Sequence, residues 1–109
     1  MMTGTYPTHG TQTARFLALL LDGREVGPLA GWREIGIYRL ADTKLQLRKA
    51  GWEVLKETQK RPNKFGESCA FACYYLPPEV IEAAGAEGQA FVQRETELMA
   101  EILRGRREA

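Results

Sequence analysis

Six side chains in one short stretch, Tyr38, Arg39, Asp42, Thr43, Gln46 and Lys49, have the types and spacing to hydrogen-bond base edges or phosphates without making or breaking a covalent bond. They fall in residues 36–51, GIYRLADTKLQLRKAG, a segment opened by one glycine and closed by another. Leu40, Leu45 and Leu47 give it an apolar side, which predicts a helix over 37–50 with Gly51 as a left-handed C-terminal cap. On that helix Arg39 and Gln46 lie two turns apart along one face, Arg39 suited to guanine and Gln46 to adenine. The plainer alternative is an amphipathic helix whose charged side is solvated. A second cluster, Lys60, Arg61, Asn63 and Lys64, sits in KRPNKFG, residues 60–66, a turn by its chemistry. Its cations either contact phosphate or the minor groove, or merely protect a hairpin tip from edge pairing.

Covalent chemistry has no comparable support. The chain has no P-loop and no dinucleotide glycine fingerprint after a strand, and its one histidine, His9, has no positioned nucleophile, so an enzyme is the least favoured class. No metal or other cofactor is implied. Cys69 and Cys73 lie in one strand candidate, where ~3.3 Å per residue puts their Cα atoms ~13 Å apart, beyond disulfide reach. They are expected reduced and half-buried, as in a cytoplasmic protein. No apolar run approaches a membrane span, and the N-terminus lacks the regions of a signal peptide.

The 109 residues allow one domain and an extra helix. Formal charge is +1, unevenly spread: residues 24–64 hold ten cations and five anions, 10 − 5 = +5, so the remainder carries −4. A basic middle fits a phosphate-facing surface, although long cationic side chains are common on any surface.

The elements that would position the two clusters follow from pattern. Residues 1–10, rich in Thr and Gly, read as a flexible arm, and without Lys or Arg the arm is unsuited to a minor groove. Thr11 or Thr13 caps a helix through Phe16, Leu17, Leu19, Leu20 and Leu21, apolar nearly all round and so buried as the floor of the core. Residues 24–27 form a small edge strand or an extended connector. Pro28 opens a short helix in which Leu29, Trp32 and Ile35 recur at inward-facing spacing, and Gly36 is the turn. Residues 52–59 and 68–76 read as strands joined by the basic turn. Beyond Pro77 and Pro78, PPEVIEAA is a helix stopped by Gly85, and residues 87–103 form another. Its stripe of Phe91, Val92, Leu98, Met99, Ile102 and Leu103 either folds back on the domain or pairs with its own copy in a homodimer.

The order helix, glycine turn, helix, hairpin resembles the small winged helix-turn-helix domains common in bacteriophages, prophages and their hosts. The resemblance covers residues 11–76 and rests on TQTARFLALLLDG, GIYRL and LRKAGWEV. Lys44 stands where the pattern usually has an aliphatic residue, and Thr43 where it usually has a basic one. The resemblance implies a mainly α chain with a small β-hairpin (α+β), and a C-terminal helical extension over 77–109 lies outside it. It also implies double-stranded DNA binding, often in transcriptional control or phage replication, with Tyr38, Arg39 and Gln46 on the DNA side. The competing expectation is a winged-helix protein-interaction module, such as a small phage inhibitor of a host complex, which the weak net charge and acidic C-terminal half favour.

Overall fold

A computed structural model describes residues 3–37 and 39–108. Four helices and a two-stranded antiparallel hairpin follow in the order α1 (Gln12–Leu21), α2 (Pro28–Ile35), α3 (Leu40–Lys49), β1 (Leu55–Pro62), β2 (Ser68–Tyr75) and α4 (Pro78–Glu108). Thr11 is the α1 cap, its hydroxyl accepting from the Ala14 amide at 3.1 Å. Ala14, Phe16, Leu17, Ala18, Leu20 and Leu21 are all buried, so α1 is the expected floor. The connector after it touches the sheet at one point, where Val26 and Tyr74 exchange both backbone hydrogen bonds, at 2.8 and 2.9 Å.

Helix α2 is turned differently from the expectation. Only Ile35 of the three apolar residues faces inward; Leu29 and Trp32 are largely exposed. The reason is Gly31, four residues before Ile35 and on its face. A Cβ there would lie 2.8 Å from the Leu40 side chain, so α2 meets α3 through bare backbone. Gly36 is the turn, left-handed at φ 70°, and its amide and that of Ile37 bond the Trp32 and Gly31 carbonyls.

Helix α3 begins at Leu40, three residues later than expected, because Ile37 is buried in the connector. Leu40, Thr43 and Leu47 form its inward stripe, whereas Leu45 is about half exposed, so two residues exchange their expected sides. Thr43 is tolerated inside because its hydroxyl reaches back to the Arg39 carbonyl at 3.4 Å. Lys44 flanks the stripe with its ammonium 5.7 Å from the centre of the Tyr74 ring. Gly51 closes the helix at φ 100°.

The first strand of the hairpin is displaced: β1 starts and ends three residues later than the expected 52–59, so residues 52–54 lie outside it, and β2 ends one residue short of the expected 68–76. Pairing runs from Leu55 opposite Tyr75 to Pro62 opposite Ser68, so Lys60 and Arg61 belong to β1 and not to the turn. The turn is made by Asn63, whose side-chain oxygen accepts from the amides of Phe65 and Glu67 at 2.9 and 3.0 Å.

Residues 3–10, expected to be a loose arm, are tied down by long-range partners. The Thr5 amide bonds the Ala50 carbonyl, and its own carbonyl accepts from the Trp52 indole, both at 2.8 Å. The Tyr6 ring lies between Trp52 and Phe91, with centroids 5.2 and 5.0 Å away, and His9 stacks on Phe91 at 4.8 Å. The fully buried Glu95 completes the tie: one carboxylate oxygen takes the His9 ring at 2.7 Å and the Gly10 amide at 2.9 Å. Gly85 breaks α4 as expected, at φ 53° and ψ −136°, and Val80, Ala84, Phe91 and Glu95 on either side of the break are buried.

Glu95→Ala removes the acceptor for both donors and is expected to cost about 1–3 kcal/mol. Glu95→Gln keeps an acceptor in place and should cost less. Urea denaturation with equal midpoints for the two variants would reject the clasp.

Candidate nucleic-acid interface

With Leu40, Thr43 and Leu47 turned inward, the free face of α3 is centred on Leu45 and carries Ala41, Asp42, Gln46, Arg48 and Lys49, all exposed. Arg39 is the N-cap position and is highly exposed, its guanidinium 3.8 Å from the Asp42 carboxylate. Such a surface pair is weak, so Arg39 can exchange Asp42 for another acceptor.

Arg39 and Asp42, with Leu40 and Ala41, form one wall of a cleft of about 390 Å³ whose other wall includes Ala72 and Tyr74 of β2. Alternation along the paired strands puts Lys56, Thr58 and Lys60 on the sheet face that bears Tyr74 and Ala72. Glu57, Gln59 and Arg61 point the other way. Gln59 and Arg61 line a separate cleft of about 570 Å³ with Leu29, Phe71 and Cys73. Burial pushes the Cys73 thiol up from its ordinary pKa, with Glu25 and Glu57 adding to it, so Cys73 stays a neutral thiol; Cys69 is free and exposed.

The structure therefore sorts the expected contact residues. Arg39, Asp42, Gln46 and Lys49 lie on the free side of α3; Thr43 does not, because it fills the core; Tyr38 lies outside the described residues. Lys60 and Arg61 are adjacent in sequence but on opposite faces of the hairpin. Lys64 sits at the tip, 5.2 Å from the centre of the exposed Phe65 ring. Asn63 is not a free contact group, since its oxygen holds the turn and its amide nitrogen reaches Glu67 at 3.3 Å. Arg48, Lys56 and Thr58 are not among the expected contact residues. Arg48 joins them once the inward stripe is read as 40, 43 and 47, whereas the period of two in the sequence already puts Lys56 and Thr58 on one face without saying which side that face takes.

The stripe assigned to dimerisation is also divided. Phe91 is buried in the chain's own core, Val92 and Met99 pack against it, Leu98 is half-buried, and only Ile102 and Leu103 are largely exposed. Packing of α4 on α1 uses most of that seam internally.

The family model of the winged helix-turn-helix domain matches residues 11–77, more than half of the chain. The chain belongs to this family. The match takes in α1 to α3 and both strands and stops at the start of α4. No curated protein and no solved structure matches the chain. Winged helix-turn-helix domains are typically DNA-binding modules without catalytic activity. Among the described residues no group of His, Cys, Asp and Glu could hold a metal ion, and no helix is long and apolar enough to cross a membrane.

The rotation of α3 in this winged helix has a direct test in stability. Leu47→Ala should cost about 2–5 kcal/mol by opening the core, whereas Leu45→Ala on the free face should stay within about 0.5 kcal/mol. Equal losses in chemical denaturation would mean that the free face has been assigned wrongly.

Proposed function

We propose that the protein binds double-stranded DNA through the free face of α3 in the major groove, with the Lys56 and Lys60 side of the wing on the adjacent phosphates. We further propose that it serves as a small transcriptional regulator of the kind phages and prophages carry. One observation carries the DNA reading: the start of α3 and the lysine-bearing face of the wing line opposite sides of one concave surface. A docked duplex would meet base-reading groups on one side and phosphate-neutralising groups on the other. Arg39 has the fork for guanine and Gln46 the paired donor and acceptor for adenine. Asp42 on the same face repels phosphate and directs the helix toward base edges, where a carboxylate can accept from cytosine.

The test is fluorescence anisotropy with a random duplex and with one taken from upstream of the protein's own gene. On the specific duplex, Arg39→Ala and Gln46→Ala should each cost about 1–3 kcal/mol, with smaller losses on random DNA. Lys56→Ala and Lys60→Ala should each flatten the log-log salt dependence by roughly 0.9. Arg61→Ala, on the far side of the wing, should leave the slope unchanged. Wild-type affinity for duplex that is absent, or insensitive to salt, would leave the protein-interaction reading in its place.

A further inference from the structure

The inward stripe of α4 outlasts the core it packs against. Phe91 and Glu95 are buried and Met99 packs on the core, but Ile102 and Leu103 one turn later are 51% and 61% exposed. Across a cleft of about 420 Å³ they face the end of α2, where Ile35 is buried and Trp32 is 60% exposed. The volume lies within the ~300–1,000 Å³ of ordinary binding pockets.

The rim of this cleft is predominantly cationic. Among the described residues, Arg15, Arg33 and Arg106 line it together with one carboxylate, Glu34. Glu34 already accepts from Arg24 at 2.5 Å, and that hydrogen bond holds its carboxyl below the usual carboxylate range. Arg15 donates to the carbonyls of Ile35 and Gly10, contacts that orient it and leave its charge in place. No residue of α3 or of the wing lines the cleft.

We propose that this cleft docks an acidic amphipathic helix of a partner protein, with apolar side chains seated between Trp32 and Leu103 and carboxylates on Arg33 and Arg106. An apolar floor inside a predominantly cationic rim is complementary to a helix with an apolar ridge and acidic flanks. A second copy of this chain fits poorly, because a two-fold contact sets the same patch against itself and would oppose arginine to arginine. A lipid surface fits poorly as well, since it takes a convex apolar stripe and this site is concave. The proposal does not depend on DNA binding, which uses other elements.

Two synthetic helical peptides with the same leucine spacing, one flanked by glutamates and one by lysines, are titrated into the full chain. Binding is read from the NMR signals of the Trp32 indole and the Ile102 methyl groups. The glutamate peptide should bind on the order of tenfold more tightly than the lysine peptide. The double variant Arg33→Glu, Arg106→Glu should reverse that order, with an unchanged Trp52 indole signal showing that the fold is intact. Equal affinity for the two peptides would overturn the proposal, as would no binding to either up to about 1 mM. So would tighter binding to anionic phosphatidylserine vesicles, or wild-type self-association that Leu103→Asp abolishes.

Discussion

The approach of α2 to α3 at Gly31 governs which face of α3 meets solvent. Because no side chain separates the α2 backbone from Leu40, the two helices can dock only with Gly31 and Ile35 inward, which leaves Leu29 and Trp32 outside. Leu40 is also the first residue of α3, so fixing it inward fixes the phase of the whole helix. Thr43 and Leu47 then follow it into the core, and Leu45 must point away. A residue with no side chain thus decides which side chains of the next helix meet solvent.

A second constraint joins the two ends of the chain to the end of α3. Trp52 follows immediately on the α3 cap, and its indole is covered by Tyr6 and held by the Thr5 carbonyl. Tyr6 leans in turn on Phe91, and His9 and Gly10 meet the buried Glu95. A carboxyl group at 0% exposure is costly without hydrogen bonds, and one of its oxygens takes both of these donors. The cluster lends α3 a rigid base, because the loop leaving the helix cannot shift without disturbing four aromatic rings.

Much of this arrangement was legible in sequence, and the failures have a common cause. A threonine cap at Thr11 or Thr13, Gly36 as the turn, Gly51 as a left-handed cap, Gly85 as the break in α4 and the floor role of α1 are local matters, set within a few residues. The rotation of α2 was misread because apolar periodicity gives weight to Leu29 and Trp32 and none to a glycine, although the glycine makes the closest contact. Thr43 and Leu45 were exchanged for the same reason: polarity was allowed to outrank position, and a back-bonded threonine is nearly as comfortable inside as a leucine is on a surface. The strand was cut short at Lys60 because proline and lysine look like turn residues, whereas a single Asn63 oxygen holding two amides sets where the chain reverses. The N-terminal segment reads as loose because its partners stand far off, 47 residues away for the indole bonded to Thr5 and 86 for the carboxylate bonded to His9, beyond any local pattern.

The clasp around Trp52 also bears on what counts as the folding unit. Tyr6 lies outside residues 11–77 yet covers a tryptophan inside that span, and it packs in turn on Phe91, also outside it. Cutting at the limits of sequence similarity would strip an indole of its lid and leave α1 without the helix that packs on it. The matched span is therefore smaller than the packed unit, which draws on residues on both sides of it.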